Sequence, residues 1–236
     1  MKRRILALLS CLLFLTGCAA QDAAVRPSAA SATEEKETRY VALTFDDGPS
    51  ARYTEKLLDG LKERGVHATF FVIGNLVEKN EKLVQRMASE GHQIGNHSFD
   101  HAQLNQIATA QALEDLNRCD EVLCRLLGED TYWVRPPYGL ISDGEICCMA
   151  APLVCWSVDT RDWELKDADK VLDIILRETE DGDIILMHDQ YKTSVEAALR
   201  AVDRLSSQGV QFVTVKELFS VKGLEPRCGK VYRRAQ

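Results

Sequence analysis

The sequence predicts an α/β fold in which parallel strands alternate with helices. Short apolar runs typical of buried strands alternate with amphipathic helical stretches from residue 40 onward. This alternation extends over about 185 residues, as expected when right-handed crossovers connect parallel strands. Polar residues of catalytic types directly follow several of these strands, where parallel β/α folds build their active sites. About seven strands favour a distorted (β/α)7 barrel, closed or incomplete, with an open doubly wound sheet as the alternative.

The first half of the domain contains four predicted strands and three predicted helices. The helix at residues 54–64 places Leu57, Leu58 and Leu61 on one face, because apolar residues three and four apart lie on the same side of a helix. The strands are short apolar runs, and each of the three helices connects one strand to the next. The strands are predicted at residues 40–45, 68–73, 93–96 and 132–135, and the helices at 54–64, 81–90 and 109–127.

The second half continues the same pattern. Strands are predicted at residues 153–157, 183–187 and 210–214, with helices at 167–179 and 193–208 between them. The last helix carries Val195, Leu199, Val202 and Leu205 at helical spacing. No internal repeat and no glycine-rich nucleotide-binding motif is found in the sequence.

The composition fits one acidic globular domain. The 236 residues are 45% hydrophobic and 28% charged, with a formal net charge of -7. This apolar content excludes disorder as the main state, because enough apolar surface can be buried to offset the entropy of ordering. A negative net charge excludes a non-specific nucleic-acid binder, which needs a cationic surface. We place the domain at residues 39–222 and a basic C-terminal tail, expected to be a frayed terminus, at 223–236.

The N-terminus has the pattern of a signal peptide. Three basic residues precede an apolar stretch at residues 5–15, which is too short to span a bilayer as a stable helix. The stretch ends in Leu15-Thr16-Gly17-Cys18, which resembles the lipobox of bacterial lipoprotein signal peptides, where the chain is cut before the cysteine and the thiol is lipidated. We therefore expect residues 1–17 to be a signal peptide and Cys18 to carry the lipid.

The expected anchor determines where the protein works. Residues 18–38 are rich in Ala, Ser and Thr without apolar periodicity, as in a flexible tether. A lipid on Cys18 would hold the domain outside the cytoplasm and close to the cell membrane. A plain secretory signal cleaved after Ala19 or Ala20 is the alternative, and the domain is exported in either case.

Six cysteines remain in the expected folded part, and their pairing stays open. Disulfides are available to an exported protein, and free buried thiols are the alternative. Cys119 and Cys124 lie about 140° apart around a predicted helix, so they should not bridge each other. No pair has the spacing of a zinc knuckle. The six are Cys119, Cys124, Cys147, Cys148, Cys155 and Cys228.

The polar residues that follow the predicted strands converge on one end of the fold. They come from distant parts of the chain but share one position relative to their strands. Because the carboxyl ends of parallel strands meet at one edge, these side chains should line a single opening. They are Asp46 and Asp47, His97 and His101, Arg135, Asp159 and Asp162, and His188.

Two histidines and one carboxylate form a candidate metal site. His97 and His101 are four residues apart, and on a helical turn they would face the same way and hold one ion. Asp47 would complete a set of two histidines and one carboxylate with positions open to water and substrate. The alternatives are a surface coincidence for the histidines and an ordinary turn for Asp46 and Asp47, which precede Gly48 and Pro49.

Five motifs in order along the chain resemble those of the NodB-homology polysaccharide deacetylases, carbohydrate esterase family 4. The resemblance covers about residues 39–220 and implies the NodB-type deacetylase fold. The motifs are Thr44-Phe45-Asp46-Asp47-Gly48-Pro49-Ser50, His97-Ser98-x-x-His101, Arg135-Pro136-Pro137-Tyr138-Gly139, Asp159-x-x-Asp162-Trp163 and Leu186-Met187-His188.

The resemblance implies a divalent-metal centre and a general base. Asp47, His97 and His101 would bind the ion, most often zinc in this family, with cobalt or another divalent ion also possible. Asp46 would take the proton of the attacking water. Arg135 would keep Asp46 ionised and oriented.

The resemblance also implies the acid and the substrate pocket. His188 would protonate the departing amine, with its pKa raised by Asp162. The backbone N–H of Tyr138 would stabilise negative charge on the acyl oxygen. Trp163 and Leu186 would line the pocket for the acetyl methyl group.

The implied reaction is metal-dependent N-deacetylation of an N-acetylglucosamine polymer, with peptidoglycan as the first choice for an exported lipoprotein. Rivals within the same chemistry are acetyl xylan, chitooligosaccharides and N-acetylmuramic acid residues. A catalytically inactive carbohydrate-binding lipoprotein and a solute-binding lipoprotein are the rivals of other classes. Asp159 has no assigned role, and His67 and His92 are interpreted as structural or surface residues.

Overall fold

The computed structural model describes residues 38–129 and 131–236. The predicted signal peptide at 1–17, the lipidation site Cys18 and the tether up to residue 37 lie outside the described residues. Within the described part of the chain, no helix combines the length and hydropathy needed to cross a membrane.

A curved parallel sheet forms the centre of the fold, as predicted. The central strand β1 pairs with three neighbours: with β7 through residues 39–42, with β6 through 42–46 and with β2 through 44–48. The strands of the described residues are β1 (Arg39–Gly48), β2 (Thr69–Val72), β3 (Gln93–Asn96), β4 (Leu153–Val154), β5 (Val158–Asp159), β6 (Ile184–His188), β7 (Val210–Val213) and β8 (Val231–Tyr232).

The sheet curls into a barrel that stays open. The main order is β3-β2-β1-β6-β5, and single-residue bridges extend it from Asn96 of β3 to Val134 and from Val134 to Leu153 of β4. Among the described residues no pairing joins β4 to β5, so the barrel is incomplete, as the prediction allowed.

Helices surround this barrel, and the longer ones cover its outer face. They comprise α1 (Thr54–Glu63), α2 (Gly74–Val77), α3 (Glu81–Ser89), α4 (Thr109–Leu127), α5 (Asp143–Ile146), α6 (Asp162–Leu165), α7 (Ala168–Glu178), α8 (Lys192–Ser206) and α9 (Val215–Val221). Local sequence explains several of their ends. The Asp167 carboxylate accepts from two backbone N–H groups at the start of α7, Thr214 and Glu217 form a capping box at α9, and Gly128 ends α4 at φ 79°.

Alternation along β1 separates two environments. Val41, Leu43 and Phe45 face the helices and belong to the main core. Ala42 belongs to a second apolar cluster that also contains Phe71 of β2 and residues of α9. Because successive side chains of a strand point to opposite faces, Thr44 and Asp46 lie on the same side as Ala42, inside the barrel. This places a carboxylate at the inner rim.

The C-terminal segment is an integral part of the barrel and is not a frayed terminus. β8 pairs in parallel with β4, and Ala235 is fully buried in the inner apolar cluster. Arg234 contacts Asp183 at 2.6 Å and Glu180 at 3.0 Å. The expectation of a solvated tail was wrong because a charge count does not reveal the strand pairing and burial of this segment.

Two predicted strands are shorter than expected. The strand at residues 132–135 is reduced to a bridge at Val134, and the one at 153–157 is reduced to β4, while β5 follows as a separate strand that was not predicted. Disulfides were left open, and the structure shows free thiols at Cys119 and Cys155, which are buried, and at Cys147, Cys148 and Cys228, which are exposed.

Candidate active site

A cavity of about 370 Å³ opens at the carboxyl ends of β1, β3, β5 and β6. The sequence-predicted residues meet there, with Arg135 and Asp162 buried directly behind the lining side chains. The lining comprises Asp46, Asp47, His97, His101, Tyr138, Trp156, Asp159, Trp163, Leu186, His188 and Tyr191.

Asp47, His97 and His101 form one cluster of ligand atoms. Asp47 Oδ1 lies 3.0 Å from His101 Nε2 and 3.3 Å from His97 Nε2. All three ligand atoms lie within 4.8 Å of one another. Burial would raise the pKa of Asp47, but the contacts and positive charges of the two imidazoles outweigh it, so this pKa lies well below its usual value.

The donor set fits a cation. His97 Nδ1 lies 2.6 Å from the carbonyl oxygen of Arg135, which can only accept, so Nδ1 carries the proton. A ring in this tautomer presents a bare Nε2 lone pair toward Asp47 when a metal ion is bound. Asp47 Oδ1 is itself buried, and within the described part of the chain it accepts no well-directed hydrogen bond. Two acceptors that face each other across a short gap are satisfied by a metal ion between them.

The histidines lie in a loop, which corrects the expected helical turn. Ser98 and His101 adopt left-handed backbone conformations, with φ of 65° and 58°. The loop is held by Asp115, whose carboxylate accepts from the N–H groups of Phe99 and Asp100, both at 3.1 Å. Tertiary hydrogen bonds, and not helical periodicity, therefore bring the two rings together.

Asp46 is fixed by Arg135 inside the barrel. The Arg135 side chain is fully buried, and its Nη1 donates to Asp46 Oδ1 and to Thr44 Oγ1, both at 2.7 Å. Its Nε and Nη2 donate to the carbonyls of Val154 and Cys155, both at 3.0 Å. A buried charge pair of this kind is stable only when its remaining polar atoms are also satisfied. The arginine thus holds Asp46 in one orientation, with Oδ2 left 3.7 Å from His97 Nε2.

His188 lies across the cavity and is paired with Asp162. Its Nδ1 lies 2.8 Å from Asp162 Oδ1, and its backbone N–H donates to Asp162 Oδ2, also at 2.8 Å. Asp162 is buried as the first residue of α6. Burial alone would lower the pKa of His188, but Asp162, helped by Asp46 and Asp47, raises it to about 9.

The three predicted pocket residues surround the opening. Tyr138 has φ 62° in the 3₁₀ turn Pro137–Gly139, and its ring contacts the ring of His101 at a centroid distance of 4.8 Å. Trp163 is half exposed at the rim, and Leu186 is buried at the wall.

Sequence reasoning missed two aromatic residues of the cavity. Trp156 packs under the Tyr138 turn, where a Cβ on Gly139 would lie 2.8 Å from its ring. Tyr191 lies three residues after His188, and its ring is 5.1 Å from Lys166 Nζ. Both lie close to the ends of strands that carry motif residues, which is the signal that could have found them.

The unassigned polar residues have structural partners. The Asp159 carboxylate accepts from the backbone N–H of Arg161 at 3.0 Å, which orients the loop before Asp162. His92 is buried beside the beginning of β2, where its Nδ1 accepts from the N–H of Ala68 at 3.0 Å, and His67 is exposed next to it.

Comparisons with known proteins agree with this site. The sequence model of the family described as polysaccharide deacetylase matches residues 33–147. A peptidoglycan-N-acetylglucosamine deacetylase of Listeria monocytogenes is 40% identical over 197 residues, which are 84% of this chain and 42% of that protein. A peptidoglycan-N-acetylmuramic acid deacetylase of Bacillus subtilis is 38% identical over 190 residues, 80% of this chain and 41% of that protein. This chain thus spans less than half the length of these two relatives.

A solved structure covers nearly the whole fold. The structure titled T48 deacetylase with substrate is 42% identical, superposes with a TM-score of 0.79, and covers 83% of this chain and 96% of its own. The later motifs, which contain Asp162 and His188, lie beyond the residues matched by the family model but line the same cavity as the earlier ones. The chain belongs to the polysaccharide deacetylase family.

Proposed function

We propose that this protein is a metal-dependent hydrolase that removes acetyl groups from N-acetylglucosamine residues of peptidoglycan. One observation carries the proposal: a single cavity is lined by a carboxylate paired with a buried arginine, by a histidine paired with a buried carboxylate, and by three residues whose ligand atoms cluster together. The names of the similar proteins supply the substrate.

Asp47, His97 and His101 would hold the divalent ion. When bound, the ion would polarise the acetamide carbonyl and lower the pKa of a coordinated water. Zinc is the first expectation from the nitrogen and oxygen donors, and cobalt accepts the same set.

Asp46 serves as the general base in this proposal. Its Oδ1 is occupied by Arg135, so Oδ2 is the atom that takes the proton of the attacking water. The guanidinium of Arg135 donates to this carboxylate, and the other buried contacts of Arg135 keep the carboxylate aimed at the cavity.

His188 serves as the general acid. A group with a pKa of about 9 is protonated at neutral pH and can deliver its proton to the amine as the C–N bond breaks. Asp162 accepts from the Nδ1–H, which leaves the Nε2–H as the proton to be donated.

Tyr138, Trp163 and Leu186 orient the substrate. The Tyr138 ring contacts the ring of His101, one of the proposed metal ligands, and the Tyr138 backbone N–H would stabilise charge on the acyl oxygen. Leu186 supplies an apolar wall suited to a methyl group, and the half-exposed ring of Trp163 offers a face on which a sugar can pack.

The alternative functions differ from the proposed one in the sugar that is deacetylated or in whether the protein is an enzyme at all. The relative that acts on N-acetylmuramic acid is about as similar as the one that acts on N-acetylglucosamine, so similarity does not favour either sugar strongly. An inactive binding protein would not need a buried arginine against the base or a carboxylate behind the acid, and both are present.

We also propose that the domain works outside the cytoplasm on a lipid anchor. The support is the basic and apolar N-terminal pattern that ends in Leu15-Thr16-Gly17-Cys18. A short tether after Cys18 would restrict the domain to glycan near the membrane.

Acetate release tests the proposal. The purified protein, loaded with zinc or cobalt, would be assayed in parallel on insoluble peptidoglycan, chitopentaose and acetylated xylan, with a chelator control. Chelator-sensitive acetate from peptidoglycan is expected, and mass spectrometry of digested glycan would show which sugar lost its acetyl group. Loss of acetyl groups only from N-acetylmuramic acid would replace the sugar assignment, and no acetate from any substrate by a metal-loaded protein would refute the activity.

A further inference from the structure

Asp189 is a fully buried carboxylate that the proposed reaction does not use. It directly follows His188, yet it is not among the side chains that line the cavity. Its Oδ2 accepts a hydrogen bond from the hydroxyl of Thr54, and that hydroxyl oxygen accepts from the backbone N–H of Ser50 at 2.7 Å. Burial of a carboxylate is costly, so its retention here indicates a specific task.

Asp189 contacts the turn that carries Asp47. Asp189 packs directly under Gly48, where an added Cβ would lie 2.7 Å and 2.8 Å from its two oxygens. Thr54 connects Asp189 to Ser50, at the other end of the turn, through two hydrogen bonds. Asp189 therefore holds residues 48–50 both by contact and by hydrogen bonds.

The next residue holds Asp47 itself. Gln190 Nε2 donates to the carbonyl oxygen of Asp47 at 2.9 Å, while the N–H of Ile73 donates to the carbonyl of Gly48 at 2.9 Å from the other side. Asp47 has φ 65°, a strained conformation for a residue with a side chain, and such a conformation persists only when its surroundings impose it. The segment after β6 supplies those surroundings.

We propose that Asp189, acting through Thr54, is a positioning residue that preforms the left-handed turn at Asp47 and thereby sets the affinity of the metal site. The inference rests on the proposed function in one respect, since it takes Asp47 as a ligand. It concerns metal binding and makes no claim about the substrate.

Zinc affinity is the direct test, measured on the purified full chain by competition with a chromophoric chelator. Asp189→Ala and Thr54→Val should each weaken zinc binding by roughly tenfold to a hundredfold, the range typical for groups that orient metal ligands. Asp189→Asn should bind more tightly than Asp189→Ala, because its amide oxygen still accepts from Thr54.

Thr179→Val is the matched control. Thr179 is also a buried threonine, and its hydroxyl has no hydrogen-bond partner among residues 38–129 and 131–236, so removing it should leave zinc affinity unchanged. The melting temperature of each metal-free variant shows whether it folds, and Thr54→Val decides the matter if Asp189→Ala does not fold.

Three results would overturn the proposal: wild-type zinc affinity in folded Asp189→Ala and Thr54→Val, equal weakening in Thr179→Val, or equal weakening in Asp189→Asn and Asp189→Ala. The result that would refute the proposed deacetylase function is distinct from these three. A wild-type protein that binds zinc but releases no acetate refutes the deacetylase activity and leaves the affinity comparison intact.

Discussion

Replacing Asp162 by asparagine should move the pH dependence of the reaction, because Asp162 is the main charge that keeps His188 protonated. The His188 Nδ1 lies 2.8 Å from Asp162 Oδ1, and the pKa of His188 is raised from 6.5 to about 9. That difference corresponds to about 3 kcal/mol in favour of the protonated ring. Asparagine removes the charge and places an amide donor where Asp162 Oδ2 accepts from the His188 N–H.

The direction in which activity changes with pH follows from the role of His188 as the general acid. His188 must be protonated to donate, so wild-type activity should fall as the pH rises through about 9. In Asp162→Asn, the charge that opposed the effect of burial on His188 is gone. The pKa of His188 should therefore fall to about 6.5 or lower. At pH 8 the protonated fraction, and with it kcat/KM, should then fall by about 30-fold, whereas the loss at pH 6 should be small.

The assay is a pH profile of kcat/KM for acetate release by the metal-loaded protein between pH 5.5 and 10. Glu164→Gln is the control, since it removes a carboxylate from the same helix that is paired with Arg161 and not with His188. Its basic limb should coincide with that of the wild type. A basic limb of Asp162→Asn that also coincides with the wild type would refute the assignment of His188 and Asp162.

The free energy of unfolding should depend on pH through the same protonation of His188. A histidine whose folded pKa is raised contributes stability that is fully present below pH 6.5 and is lost as the pH rises through about 9. Asp162→Asn should therefore destabilise the protein more at pH 6 than at pH 10 in denaturant titrations.

Four further changes test the remaining parts of the proposal. Asp47→Asn should lower metal content and activity together, and retained metal stoichiometry by elemental analysis would remove Asp47 from the ligand set. His188→Ala should keep the metal while turnover falls by roughly 100-fold or more, and an unchanged rate would refute its role as the acid. Arg135→Met leaves the buried carboxylate of Asp46 uncompensated, so denaturant unfolding should show a loss of about 3–5 kcal/mol, and a near-neutral result would contradict the buried pair. Cys18→Ser should release the protein from membranes on fractionation, and continued membrane association would point to a different anchor.

Local pattern was sufficient to predict the class of fold and the meeting of several polar side chains at one cavity. Strand–helix alternation predicted the parallel sheet, because apolar periodicity is a local consequence of which side chains must face the core. Polar residues placed just after strands predicted one opening, since parallel strands end at a common edge. Asp46, Asp47, His97, His101 and His188 indeed line one cavity.

Tertiary structure alone decided how these residues are arranged. The extension of the sheet from β3 to β4 depends on single bridges through Val134, and β8 pairs with a strand far earlier in the chain, so neither feature leaves a periodic signal. The left-handed backbone at Asp47 and at His101 is imposed by distant contacts, which outweigh local propensity and turn an expected helical turn into a loop. Sequence spacing thus determined which chemical groups reach the cavity. Their directions, distances and pKa values arise from burial and from partners far along the chain, because electrostatic and hydrogen-bond energies depend on separation in space and not on separation in sequence.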